Sequence, residues 1–169
     1  MIYLIIIGSI FLLELVIKTL VEKKGKLGTT KALCGGKLLL RKHHNKGVML
    51  NIGQKKQPVV AAFSLLLCVG ITIVALLTGK RYNKLVKAGM AILLGGAYSN
   101  TYDRLIRKYV VDYISFGVKN PRLRRIVFNL ADFCIMIGAI LVVVGGIGNE
   151  NIGEGQICGE SDGGLGGSQ

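Results

Sequence analysis

The chain alternates between long apolar runs and shorter polar connections that are mostly basic. Four apolar runs stand out, at residues 2–20, 59–78, 88–101 and 126–148. One helix needs about 20 mostly apolar residues to cross the hydrocarbon of a bilayer. The pattern therefore predicts an all-α membrane protein with four transmembrane helices, forming a single domain over residues 1–148.

Two other segments have no helical period. In the connection between the first two apolar runs, GKLLLRKHHNKGVMLNIG groups its apolar and polar residues in short stretches, and glycines punctuate it. This favours strands and turns, so we predict a small β element between helices 1 and 2, lying on the membrane surface. Residues 149–169 are acidic and rich in glycine, which predicts a flexible tail.

Composition narrows the class of protein. The chain has 169 residues, of which 51% are hydrophobic, yet its net charge is +13. Nine acids cannot pair with 22 basic residues, so most bases must lie in water or against anionic lipid. This excludes a disordered chain and a soluble enzyme. No nucleic-acid motif accompanies the basic residues, so membrane lipid is the expected partner and nucleic acid is not.

The basic residues also bear on orientation. The three connections, residues 21–58, 79–87 and 104–125, carry ten, four and seven Lys or Arg. Counted this way, the positive-inside rule would put the first and third connections in the cytoplasm and both termini outside.

Ionisable residues within membrane segments are costly and suggest function. Glu14 and Lys18 lie four residues apart on one face of the first predicted helix. We interpret them first as a structural ion pair facing the bundle interior. A role in positioning loops or substrate is the alternative.

Asp112 and Asp132 can meet at one membrane edge. If the fourth helix starts near Ile126, Asp132 lies roughly 9 Å from its beginning, on the side where the connection carrying Asp112 lies. Two carboxyls sharing a partly desolvated site cannot both ionise easily, which is the arrangement of an aspartic peptidase. Spacing alone leaves another reading open, in which Asp112 pairs with Arg104, Arg107 or an arginine of 122–125.

Three elements around these acids resemble the signal peptidase II family, the lipoprotein signal peptidases or A8 family of aspartic peptidases. They are NTYDR at 100–104, VVDY at 110–113 and NLAD at 129–132. Two weaker matches are Glu14 with Lys18, and HNKG at 44–47. The resemblance runs in order through residues 1–148.

The resemblance implies a function and a set of site residues. Asp112 and Asp132 would be the catalytic dyad, and Asp103 would be structural. Four further residues would bind substrate or orient the dyad: Asn45, Asn100, Arg104 and Asn129. The substrate would be a diacylglyceryl-modified prolipoprotein, cut before its lipidated cysteine by an enzyme that needs no metal or organic cofactor and is expected to be a monomer.

The resemblance also implies a location, the bacterial cytoplasmic membrane, with both termini in the cytoplasm. The active site and the β element would then be extracytoplasmic, which is opposite to the result of the charge count. Long connections can cross the membrane largely regardless of their charge, so we give the motifs more weight.

A non-enzymatic alternative remains. The chain departs from the family pattern at Ser99 and around Met49. These departures motivate a rival hypothesis, an inactive relative that binds lipoproteins or a small proton-coupled membrane carrier using the same acids. A zinc peptidase is disfavoured, because the chain has no HExxH motif and adjacent His43 and His44 point to opposite faces of an extended segment.

Overall fold

The computed structural model describes residues 1–47, 54–78 and 82–159. Its long helices are α1 (Ile2–Lys24), α2 (Gln57–Thr78), α3 (Lys84–Tyr102) and α5 (Leu130–Gly159), and α4 (Pro121–Arg124) is a single turn. Helices α1, α2 and α5 contain stretches long and apolar enough to cross a membrane. The departure from the family pattern at Met49 lies outside the described residues.

The surface of the helices is apolar and their interior is partly polar. In α1 the exposed side chains include Leu4, Ile5 and Leu12, whereas the buried ones are Glu14 and Lys18. A protein that is folded in water shows the opposite preference, because burying charge is costly and exposing aliphatic side chains to water is unfavourable. This distribution and the three apolar helices indicate a multi-pass membrane protein.

Helix α3 lies at the centre and contacts α1, α2 and α5. It begins at Lys84, earlier than predicted, because the Asn83 side chain caps it by accepting a hydrogen bond from the main-chain N–H of Val86 at 2.9 Å. Glycines allow α3 and α5 to approach closely. A Cβ on Gly138 would lie 2.6 Å from the carbonyl oxygen of Gly89. The interface between these two helices is therefore a backbone-to-backbone contact.

A three-stranded antiparallel sheet joins two connections that are far apart in sequence. Strands β1 (Thr30–Leu33) and β2 (Leu38–Asn45) lie between α1 and α2, as predicted. The third strand, β3 (Val110–Phe116), follows α3 and pairs with β2, so the sheet order is β1-β2-β3. The prediction of a β element confined to the first connection was incomplete, because the pairing that completes the sheet is non-local.

The last helix begins later than predicted. The residues before it are extended: Phe128 exchanges main-chain hydrogen bonds with Ile114, at 2.6 Å and 2.8 Å. This pairing delays the helix from Ile126 to Leu130. Its backbone is helical through Gly159, past the boundary predicted at residue 148. Residues 160–169 lie outside the described part, and a flexible tail stays a prediction.

Candidate active site

Asp112 lies in the middle of β3 and is almost completely buried, with 2% of its surface exposed. Its position in the sheet is opposite His43 of β2. Each carboxylate oxygen accepts one amide hydrogen bond, Oδ2 from Asn45 at 3.1 Å and Oδ1 from Asn129 at 2.7 Å. The alternative in which Asp112 pairs with an arginine is wrong for the described residues, whose ion pairs do not include it.

Asp132 is held by the start of α5. Asn129 precedes the helix, and its side-chain oxygen accepts from the main-chain N–H of Asp132 at 3.0 Å. In return, the Asp132 carboxylate accepts from the main-chain N–H of Asn129 at 3.0 Å. This reciprocal pair is a capping box, here formed by Asn and Asp. The second oxygen of Asp132 accepts from the amide of Asn100 on α3, at 2.8 Å.

Asn129 therefore connects the two carboxyls. Its amide nitrogen binds Asp112 while its main chain and amide oxygen bind Asp132, and its side chain is completely buried. Both carboxyls line one cavity of about 440 Å³. Three more of the predicted site residues line it too: Asn45, Asn100 and Arg104.

Arg104 supplies the positive charge of this cavity. It follows α3 in a π-helical turn, Asp103–Arg107, that bends the chain toward β3. One guanidinium nitrogen donates to the carbonyl of Asn100 at 3.3 Å, and Gln57 of α2 donates to the Arg104 carbonyl at 2.7 Å. Its Nε is shielded from solvent without a hydrogen-bond partner among the described residues. The guanidinium thus retains donor capacity beside the two acids.

Lys18 and Glu14 lie directly behind the two acids, and their predicted pairing is only part of their role. The Lys18 ammonium is 3.8 Å from Glu14 but 3.1 Å from Asp103. It also donates to Asn100 at 2.7 Å and Ser99 at 3.1 Å. Because Asn100 in turn binds Asp132, the Lys18 ammonium holds the amide that orients an active-site carboxyl.

Glu14 stabilises the start of α5 from the neighbouring helix. Its Oε1 accepts from the main-chain N–H of Ala131 at 2.6 Å and from the hydroxyl of Tyr113 at 3.1 Å. The hydroxyl oxygen of Tyr113 accepts from the main-chain N–H of Leu130 at 3.2 Å. Burial, and next the Glu14 charge, raise the pKa of Tyr113, which keeps its proton on the hydroxyl. Three free N–H groups of the first turn, those of Leu130, Ala131 and Asp132, are thereby satisfied.

The environment of Asp112 favours its protonated form. Burial and, next, the nearby charge of Asp132 raise its pKa to about 7, against the opposing effect of the hydrogen bonds from the amides of Asn129 and Asn45. Two carboxyls in one desolvated site, one of which holds a proton near neutral pH, can act as an acid and a base together. The described residues contain no cluster of His, Cys, Asp and Glu suited to a metal ion.

Comparison with known proteins agrees with this arrangement. A family profile described as signal peptidase (SPase) II matches residues 6–147. The lipoprotein signal peptidase of Caldicellulosiruptor bescii is 34% identical over 142 residues, covering 84% of this chain and 88% of that protein. The chain belongs to the signal peptidase II family. The resemblance proposed from the motifs is confirmed, and the family is one of peptidases.

Solved structures support the same fold. Two bacterial membrane enzyme structures determined by the in meso method, at 2.3 Å and 1.9 Å resolution, superpose with TM-scores of 0.73 and 0.71. Each is 20% identical to the signal peptidase II chain described here. The first comparison covers 99% of this chain and 94% of the other, and the second covers 84% and 90%.

Sequence reasoning missed part of this signal peptidase II site. Tyr113 was not among the predicted site residues, yet it is buried against Glu14 and the start of α5. The spacing of Asn129 and Asp132 is the signal of a capping box, which could have been read directly from the sequence. The pairing of β2 with β3, which brings Asn45 to Asp112, had no local signal.

Proposed function

We propose that this protein is an aspartic endopeptidase that removes the signal peptide from diacylglyceryl-modified prolipoproteins by cutting before the lipidated cysteine. The observation that carries the proposal is that the buried carboxyl of Asp112 and the partly buried carboxyl of Asp132 line one cavity and are bridged by Asn129. The family of the chain, and the name of its relative from Caldicellulosiruptor bescii, support the substrate class.

The two carboxyls have different roles in the proposed reaction. Asp132 lies in the first turn of α5, where the helix dipole favours a carboxylate, so we assign it as the base. It takes a proton from water as the water oxygen attacks the peptide carbonyl carbon. Asp112, protonated near neutral pH, donates to the carbonyl oxygen. Collapse of the tetrahedral intermediate breaks the C–N bond: the amine of the lipidated cysteine leaves with the proton that Asp132 took, and Asp112 takes back a proton from a hydroxyl of the intermediate as the new carboxyl group forms.

The walls of the cavity suit a lipidated peptide. The polar groups of the dyad face side chains that are mainly apolar: Leu67, Ile71, Leu93, Val127, Ile135 and Met136. A substrate with acyl chains and a hydrophobic signal peptide would bury apolar surface there, at about 25 cal/mol per Å². Arg104 and Asn45 both line the cavity, where their donor groups are positioned to hold substrate carbonyl or ester oxygens.

The proposed setting is a bacterial cytoplasmic membrane, with α3 as the fourth span and the sheet and dyad on the extracytoplasmic side. A membrane-impermeant maleimide can test this in intact cells, since Cys34 lies exposed between β1 and β2. We expect labelling of Cys34 before lysis and none in Cys34→Ser. Labelling that requires lysis would contradict the orientation.

The decisive experiment is cleavage of a synthetic diacylglyceryl precursor peptide by the purified protein in detergent micelles. We expect release of the signal peptide, and its loss in Asp112→Asn and Asp132→Asn. Glu22→Gln is the matched control, because Glu22 is a carboxylate in the C-terminal turn of α1 that does not line the cavity. Stable binding of the peptide without product by the unmodified protein would favour the non-enzymatic hypothesis instead.

A further inference from the structure

A second cavity of about 450 Å³ lies where α1 meets the sheet. It shares no lining residue with the active-site cavity. Its floor includes the aliphatic side chains of Leu20 and Val21 from the last turns of α1, and Leu40 from β2. Besides Gly25 and Thr29, the lining contains five basic residues: Lys24, Lys26, Lys31, Arg41 and Lys42.

Most of this positive charge has no partner within the protein. Lys42 forms an ion pair with Glu22 at 2.9 Å, but Glu22 also receives a hydrogen bond from His44. Within residues 1–47, 54–78 and 82–159, the side chains of Lys24, Lys26 and Lys31 form no ion pair. Because like charges at short range repel, a cavity with five cations and one nearby anion favours a bound anion.

Arg41 adds a guanidinium to the lining of this cavity. One of its terminal nitrogens donates to the carbonyl of Arg124 at 3.3 Å, which fixes the direction of the guanidinium. Its Nε is shielded from solvent and has no hydrogen-bond partner in the described part of the chain. Because this Nε is shielded, a phosphate oxygen in the cavity would meet Arg41 through the remaining donors of its guanidinium.

The position of the cavity indicates which anion it takes. It opens at the end of a helix long and apolar enough to cross a bilayer. Leu20 and Leu40 of its lining and the neighbouring Leu27 are at least 37% exposed, which leaves apolar surface that the hydrocarbon of a lipid can cover. Gly25 brings the strand against the helix end, since a Cβ there would lie 2.6 Å from the carbonyl oxygen of Val21 and 3.3 Å from the Cβ of Lys42. Basic side chains and apolar side chains therefore lie next to each other at the depth where lipid head groups are expected.

We propose that this cavity binds the head group of an anionic phospholipid, with the phosphate against Arg41 and the unpaired lysines and the acyl chains along Leu20. Its occupation holds the sheet against the membrane surface. The proposal does not depend on the peptidase activity, since the two cavities are separate.

Native mass spectrometry of the detergent-solubilised full chain can count bound lipids. Phosphatidylglycerol and phosphatidylcholine with the same acyl chains are compared, with inorganic phosphate and glycerol phosphate as soluble competitors. We expect one phosphatidylglycerol bound in preference to phosphatidylcholine. Soluble phosphate at equal concentration should not displace it, because it lacks the contribution of the acyl chains.

The test variant is Lys26→Gln combined with Lys31→Gln, since both side chains are exposed and their replacement leaves the fold intact. We expect its affinity for phosphatidylglycerol to fall by about tenfold or more. Lys84→Gln with Lys119→Gln is the matched control, because it removes the same charge from exposed positions outside the cavity. Arg41→Gln tests the phosphate contact separately.

Three results would overturn the proposal. Equal binding of the two lipids would show that charge does not select the ligand. An equal loss of affinity in the control pair would show that net charge acts without a site. Displacement of phosphatidylglycerol by soluble phosphate would identify a site for the free anion in place of the lipid.

Discussion

Replacing Asn129 separates two contributions that this one side chain makes. Its amide oxygen caps α5 by accepting from the main-chain N–H of Asp132, and its amide nitrogen donates to Asp112. Asn129→Ala removes both. Asn129→Ser retains an oxygen that can cap the helix, but its hydroxyl is too short to bridge to Asp112. The pair of variants therefore distinguishes helix capping from bridging.

The magnitudes follow from the two contacts. Loss of an N-cap costs about 1 kcal/mol, and leaving a buried hydrogen-bonding group without its partner costs about 1–3 kcal/mol. We expect Asn129→Ala to lower the free energy of unfolding by about 2–4 kcal/mol, and Asn129→Ser by about 1 kcal/mol less. Both release Asp112, and a displacement of a reacting group by about 1 Å can lower turnover on the order of 100-fold.

The assay has two parts. Denaturant titration in detergent micelles gives the difference in stability, and cleavage of the diacylglyceryl precursor peptide gives kcat. We expect serine to recover stability without recovering kcat. If Asn129→Ser turns over at the rate of the unmodified protein, the bridge to Asp112 has no part in catalysis. If alanine and serine are equally unstable, the capping contribution has been overestimated.

The pKa of Asp112, the buried Lys18 and the close contact between α3 and α5 each allow one further prediction. Because burial raises the pKa of Asp112 to about 7, kcat should fall as pH rises through 7, and a flat pH–rate profile would contradict this. The contribution of the protonated Asp112 carboxyl to the free energy of unfolding is fully present below its ordinary pKa of 3.8 and should be lost as pH rises through 7. Lys18→Met should cost about 3–5 kcal/mol by removing the cation that pairs with the buried Glu14 and Asp103, of which Asp103 keeps Arg107 as a partner, and Glu14→Gln in the same chain should restore part of that loss in denaturant titration. Gly138→Ala should destabilise by about 1–3 kcal/mol through overpacking against α3, whereas Gly146→Ala, whose Cβ meets open space, should not; equal thermal midpoints would refute the close contact.

The parts of the fold that depend on local pattern could be predicted from the sequence. Apolar runs mark the long helices, and the motifs around Asp112 and Asp132 indicated the family that the comparisons confirm. Strand β3 could not be predicted this way, since VVDYISF lacks a clear alternation and pairs with a strand more than 60 residues earlier. Asp112 and its partner Asn45 are far apart in sequence, so no local pattern could predict their contact.

The contacts of Glu14 and Lys18 next to the active site were predicted less well, for a different reason. Glu14 and Lys18 have the spacing of an ion pair within one helix, and helical geometry favours that local interpretation. Their shorter contacts are with Asp103, Asn100 and the start of α5, all on other elements. Spacing can identify which residues share a face, but the packing of helices decides which partner is nearest.

The central position of α3 has a consequence for how the protein assembles in a membrane. Its neighbours leave few of its residues facing outward, and its buried surface includes Ser99, Asn100 and Thr101, which suit protein contact better than lipid. Helices α1, α2 and α5 have apolar outer surfaces that hydrocarbon can solvate. We therefore expect α3 to enter the bilayer stably only after α1 and α2 are present to receive it, with α5 closing the bundle last. In this order of biogenesis, the helix carrying Asp132 would complete the active site only in its final step.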